Sequence, residues 1–207
     1  MGSARRAEAT DEALMTRYQR GDLSAFTALV ARHKIPVYNF VLRQLRSPAL
    51  AEDLVQDVFV RIIENAGSFK HEARFTTWAY TIARNLCVDQ IRKASYRRHA
   101  SLEQKDDGDA GDGLSYEEKV PDPRPAASTE RAAVAGEIQA AVVAAVENLP
   151  PDQKEVFLLR EVANLPFGEI AKITGAQENT VKSRMRYALE RLQEVLADFE
   201  EYARALR

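Results

Sequence analysis

Apolar residues recur along this chain every three or four positions, and nowhere do they alternate with polar ones in the two-residue rhythm of a strand. Asp11 precedes Ala13, Leu14 and Tyr18, so a first helix is predicted there. Asp22 or Ser24 can cap a second, which carries Phe26, Leu29, Val30 and His33. Pro36 is expected to start a further helix, with Val37, Phe40, Val41 and Leu45 on one face. Ser47-Pro48 is a turn and first-turn signal ahead of ALAEDLVQDVFVRIIENA, where Leu54, Val58, Ile62 and Ile63 fall at helical spacing and Gly67 is expected to end the helix. The polar loop SFKHEARF then leads into TWAYTIARNLCVDQIRK, whose helix would bury Phe75, Ala79, Ile82 and Leu86. In the back half, helices are predicted from Ser128-Thr129-Glu130 through Val146, from Pro150-Pro151-Asp152 onward, and twice more after Pro166-Phe167-Gly168. The expected fold is all-α.

Residues 100–128, ASLEQKDDGDAGDGLSYEEKVPDPRPAAS, interrupt this rhythm with three Gly, three Pro and an acidic run, and have no sustained apolar period. Two small helical domains, 1–99 and 129–207, are therefore expected on either side of a flexible acidic linker, 100–128. The net charge of −2 conceals an uneven distribution. Residues 1–99 hold 16 Lys+Arg against 10 Asp+Glu, net +6; residues 100–128 hold 3 against 8, net −5; residues 129–207 hold 10 against 13, net −3. With 45% hydrophobic and 29% charged residues, the composition is that of a globular protein, and its apolar runs are too short for a span of about 20 residues. The N-terminus has no apolar segment of a secretory signal, so a cytoplasmic address without membrane insertion is expected. Cys87, the single cysteine, excludes an intrachain disulfide and a Cys-based zinc site, and reads as a small buried hydrophobe.

Candidate chemistry lies in two places. PFGEIAKITGAQENTVKSRMRYALERL has the layout of a helix-turn-helix, with Ile170 and Ala171 on its first helix and Gly175 at a turn that needs positive φ. With Val181, Met185, Leu189 and Leu192 inward, Asn179, Lys182, Ser183 and Arg186 point outward, a set able to reach guanine edges and phosphates in a major groove. The second place is SFKHEARFTTW, where Phe69, His71, Phe75 and Trp78 interleave with Lys70 and Arg74. Rings beside cations suit unstacked bases, because any base stacks while its phosphate meets a charge. Asn85 and Asp89, spaced i, i+4, are followed by Arg92, Lys93, Arg97 and Arg98, more positive charge than the helix dipole requires. Trp78 can serve either the core or the melted strand. No Gly-rich phosphate loop or H-E-x-x-H is present, and His33, His71 and His99 are far apart, so no enzyme, cofactor or metal is expected.

Taken together, AEDLVQDVFVRIIENAGSFKHEARFTTWAYTIARNLCVDQIRK resembles conserved region 2, and LPPDQKEVFLLREVANLPFGEIAKITGAQENTVKSRMRYALERL region 4, of bacterial extracytoplasmic-function (ECF) sigma factors of the sigma-70 family. The resemblance covers nearly the whole chain except the linker, in the family's order. It implies a subunit that binds core RNA polymerase at its clamp helices and flap, directs it to promoter DNA, helps melt that DNA, and is commonly held by an anti-sigma factor. In the residues matching the family's motifs, it implies −10 recognition by Asn85 and Asp89. The loop Phe69 to Phe75 would hold a flipped base, and Arg92, Lys93, Arg97 and Arg98 would meet phosphates. Asn179, Thr180, Lys182, Ser183, Arg184, Arg186 and Tyr187 would serve the −35 element, and Asp53, Gln56, Asp57 and Arg61 the polymerase clamp. Asp89 departs from relatives that place Asn or Lys there, and Arg186-Tyr187 falls where the family varies. The alternative is a stand-alone two-domain helix-turn-helix regulator, which leaves the loop aromatics and the basic helix end without a task.

Overall fold

The computed structural model describes the backbone of residues 9–70, 73–103 and 129–205, and the side chains of 9–70, 73–97 and 136–197. Every regular element among these residues is helical. The expected linker lies almost wholly outside the described residues. The chain divides into two compact units, each with its own core.

In the first unit, α1 (Asp11–Gln19) begins where the Thr10 hydroxyl accepts a hydrogen bond from the Ala13 N–H, with Asp11 and Glu12 in the first turn facing the positive end of the helix dipole. Gly21, at φ 95°, reverses the chain into α2 (Leu23–Leu45), which Asp22 caps. Helix α3 (Pro48–Glu64) follows with Ser47 as cap and Pro48 in its first turn, as its sequence predicts. It ends at Glu64, slightly ahead of Gly67, which sits in a short 3-10 turn, Ala66–Ser68. Helix α4 (Phe75–Glu103) closes the unit. Met15, Leu29, Phe40, Val58, Ile62, Phe75 and Tyr80 form the shared core, with the Tyr80 ring edge-on to Phe40.

Pro36 does not start a helix: α2 runs unbroken through it. An internal proline costs one backbone hydrogen bond and about 3 kcal/mol. Buried Leu29 before it, and Val37, Phe40 and Val41 after it, share one core face that a break would split, so packing prevails. Helix α4 likewise continues past the expected domain end, to Glu103, and so takes in the first residues of the expected linker.

The back half of the chain contains α5 (Thr129–Glu147), α6 (Pro151–Glu161), α7 (Phe167–Thr174) and α8 (Glu178–Ala205). Helix α8 packs on both α5 and α6. Val146, Leu158, Leu159, Ile170, Val181 and Ala188 are buried. The turn after α6 takes Asn164 into the left-handed region at φ 52°, and Arg160 steadies it by donating to the Leu165 carbonyl at 3.0 Å while lying over the Phe167 ring. Gly175, at φ 71°, makes the turn between α7 and α8 as expected. The inward row of α8 is Val181, Met185, Ala188 and Leu192, not the expected series through Leu189, which is exposed. Strict four-residue steps drift about 40° each around a helix, and only the alternation of fours and threes keeps one face buried.

Candidate nucleic-acid and polymerase interfaces

On α8 the outward side chains follow from the inward row. At about 100° per residue, Asn179, Ser183 and Arg186 lie opposite the core, flanked by Thr180, Lys182 and Tyr187, and all six are exposed. The cations are held by neighbours on the same helix. Lys182 Nζ pairs with Glu178 at 2.6 Å, Arg186 pairs with Glu190 at 3.6 Å, and the Arg186 guanidinium lies 4.9 Å from the centre of the Tyr187 ring. Arg184 departs from the expected set. It lies at the margin of the core face and pairs with Asp152 at the start of α6, so it ties α8 to α6 rather than standing with the outward residues.

In the first unit, α4 carries a second outward row. Asn85, Asp89, Arg92, Lys93 and Arg97 are all exposed, while Leu86 and Cys87 are buried and Ile82 is half-buried. Arg98 lies on α4, but its side chain is outside those described, and His71 lies outside the described residues altogether. Tyr96 is a residue the sequence reading missed. It is 71% exposed and falls on the line of Asn85, Asp89 and Arg92, a placement that counting eleven residues on from Asn85 would have found.

The loop ahead of α4 turns its rings and its charges in opposite directions. Lys70 and Arg74 are exposed, as expected. Phe69 and Phe75 are buried, so the expectation that they offer faces to unstacked bases is corrected. Their ring centres lie 6.2 Å apart, and Trp78 joins them at 5.2 and 6.3 Å, with His33 at 5.2 Å from Phe75. Trp78 is half-buried, which leaves part of its indole at the surface. Helix α1 grips this region from behind. The Gln19 amide donates to the Ala66 carbonyl at 2.7 Å and the Phe69 carbonyl at 3.0 Å, and the Glu12 carboxylate accepts from the Phe75 N–H at 3.0 Å. Asp11 joins α1 to α2 through Arg32 at 2.9 Å and His33 at 2.8 Å.

Helix α3 presents the third surface. Asp53, Gln56, Asp57 and Arg61 are exposed on one face, as their spacing requires, above buried Leu54, Val58 and Ile62. A groove beside Gln56 is lined by Lys34, Ile35, Tyr38, Glu52 and Val55. Ile35, 68% exposed, was not anticipated, because only an unbroken α2 sets it opposite Leu29 and Phe40.

The two segments that bear these faces each match a family model: residues 29–97 match Sigma-70 region 2, and residues 139–192 match Sigma-70, region 4. The ECF RNA polymerase sigma factor SigW of Bacillus subtilis is 32% identical over 87% of this chain and 93% of its own length. The RNA polymerase sigma factor CarQ of Myxococcus xanthus is 31% identical over 90% of this chain and 97% of its own. The chain belongs to the sigma-70 family. It is an RNA polymerase sigma factor of the ECF group, and the stand-alone regulator is not favoured, since region 2 accounts for the front unit. Its relatives are sigma factors, which are not enzymes. Among solved structures, the sigma factor RpoE of Bartonella quintana, determined in complex with the anti-sigma factor NepR, has the same fold. Its TM-score is 0.64 at 24% identity, covering 83% of this sigma factor and 96% of that chain. No helix among the described residues is long and apolar enough to cross a membrane. Helix α1 of this sigma factor lies ahead of the region 2 match.

Proposed function

We propose that this sigma factor docks on core RNA polymerase through the α3 face of Asp53, Gln56, Asp57 and Arg61, and addresses promoter DNA with the outward faces of α4 and α8. One observation carries the reading: the exposed cations Arg92, Lys93 and Arg97 of α4, and Lys182 and Arg186 of α8, stand on the two segments matched to regions 2 and 4. Asn85 and Asp89 read the −10 element, while Arg92, Lys93, Arg97 and Arg98 neutralise phosphates around it. Asn179, Lys182, Ser183 and Arg186 enter the major groove at the −35 element, with Thr180 and Tyr187 at the edges. Trp78, half-exposed above the buried Phe69 and Phe75, supports the melted strand.

The division of labour follows from charge. Domains of net +6 and −3 have little phosphate affinity alone, and docking both on one enzyme makes the second contact intramolecular. The acidic residues 100–128 join the two units and lie along the polymerase's RNA exit path, where their charge resembles that of the transcript. The protein works in the cytoplasm. By analogy with the Bartonella quintana relative solved with NepR, an anti-sigma factor covers its polymerase-facing surfaces until a signal releases it.

Run-off transcription with core polymerase on genomic and pre-melted templates tests this reading. Wild-type protein should confer promoter-dependent initiation, and Trp78→Ala should fail on closed duplex while retaining activity on a pre-melted template. No promoter-dependent initiation from any template, or tight sequence-specific binding by the free protein at moderate salt, would overturn it.

A further inference from the structure

Helix α1 contacts the loop before α4 at both of its ends. The Gln19 amide donates at once to the carbonyls of Ala66 and Phe69, where the chain enters the loop, and both bonds are 3.0 Å or shorter. At the other end, Phe75 opens α4, and its N–H is one of the four that a helix start leaves without an intrahelical acceptor. A residue 63 positions earlier supplies that acceptor, the Glu12 carboxylate. Its negative charge also suits the helix start. Between the two grips the Ala73 N–H is bonded to the Lys70 carbonyl at 3.1 Å, and Lys70 and Arg74 are exposed. The grip is built on a rigid base, since Met15 and Leu14 of α1 are buried and Asp11 is bound to Arg32 and His33. Gln19 itself is exposed, so its amide is not required to fill the core.

We propose that Gln19 and Glu12 are positioning residues for promoter selectivity: by fixing both ends of the 69–75 loop, they set where Lys70, Arg74 and the edge of Trp78 meet the −10 DNA. This rests on the reading of the front unit as the −10 interface. A backbone held on both sides keeps Lys70 and Arg74 within a narrow range, and contacts of that kind fix the register in which neighbouring side chains read the base edges. Loss of one hydrogen bond of ordinary strength corresponds to a change of about fivefold.

The test uses the full chain with core polymerase and a promoter library randomised through the −10 element, with transcripts sequenced to give the preference at each position. Gln19→Glu keeps the side chain's size but removes both donors. Glu12→Ala removes the acceptor, whereas Glu12→Gln keeps an oxygen able to accept. The expected result is a loss of about fivefold in preference at the most selective −10 position for Gln19→Glu and Glu12→Ala, with retention in Glu12→Gln. Output from a pre-melted template and retention on core polymerase should stay within about twofold of wild type. An unchanged preference in Gln19→Glu and Glu12→Ala overturns the proposal, as does an equal loss on every template, which would assign α1 to stability alone. If wild-type protein itself shows no promoter-dependent initiation, the broader reading fails and this proposal fails with it.

Discussion

The outward face of α8 and the loop-side face of the first unit reach the surface by opposite routes. On α8 a single helix does everything: Val181, Met185, Ala188 and Leu192 go in, so Asn179, Ser183 and Arg186 come out, and local periodicity settles the outcome. In the first unit the exposed residues are what remains after distant parts of the chain meet. Phe69, Phe75 and Trp78 gather together, with Phe75 against His33 of α2, and Gln19 and Glu12 of α1 fix the backbone around them. A surface made by one helix is robust to changes elsewhere, whereas a surface assembled from three elements inherits the stability of the whole unit.

The sharpest way to break this comparison is Phe75→Ala. Phe75 is fully buried, and deleting such a ring costs about 3–5 kcal/mol, a large share of the stability of a small domain. The first unit should lose its cooperative melting transition, followed through the fluorescence of Trp78, the only tryptophan, and through circular dichroism. The helices of the second unit should persist. If Phe75→Ala melted at the wild-type temperature and failed only in opening duplex DNA, the ring would be acting on bases, and the contrast between the two surfaces would dissolve.

A smaller effect separates two arginine and lysine neighbours on α8. Lys182 faces outward with an exposed partner, Glu178, while Arg184 is bound to Asp152 of α6. Lys182→Ala should therefore lower the dependence of promoter complex formation on salt by about one in the log–log slope, leaving thermal stability unchanged. Arg184→Ala should leave that slope alone and weaken the second unit by up to about 1 kcal/mol. The reverse pattern would mean that Arg184, not Lys182, meets the phosphates, and that a free helix face is not a sufficient guide.

The same contrast explains what could be read from the chain beforehand. The eight α-helices among the described residues fall where apolar periodicity and caps such as Asp22 and Ser47-Pro48 place them, save that the second and third predicted helices are one and α4 runs on to Glu103. The merging at Pro36 was illegible because a local penalty of about 3 kcal/mol was outweighed by a core face that extends on both sides of it. Exposed Ile35 followed from that merging, and so was equally hidden. Residues on one helix were mostly legible: Asn85, Asp89, Arg92 and Lys93 on α4, and Asp53, Gln56, Asp57 and Arg61 on α3, emerge as their spacing requires. The loop aromatics were not, since composition shows rings and cations together without showing which way each turns. Nothing in their local sequence marks Gln19 or Glu12, whose partners lie 47 to 63 residues away.

The smallest effect tests a charge that locks the corner between α1 and α2, on which the position of α1 depends. The Asp22 carboxyl is lowered from 3.8 to about 2, first by the Ser24 hydroxyl that donates to it at 2.6 Å, and next by the Arg17 guanidinium, also at 2.6 Å. A carboxyl with a lower pKa folded than unfolded contributes stability above the unfolded value and loses it as pH falls toward the folded one. That contribution is complete above about pH 5, declines between 3.8 and about 2, and is absent below. Asp22→Asn retains an oxygen to cap α2 but cannot carry the charge. The gap in melting temperature between wild type and Asp22→Asn, followed through Trp78, should be constant near neutrality and close across that acid window. Because the Asp22 side chain is about one-third exposed, the gap should also shrink in high salt. A gap that persisted unchanged at pH 2 would mean that the shape of the cap, rather than its charge, holds the corner, and that the first unit depends on geometry as fully as α8 does.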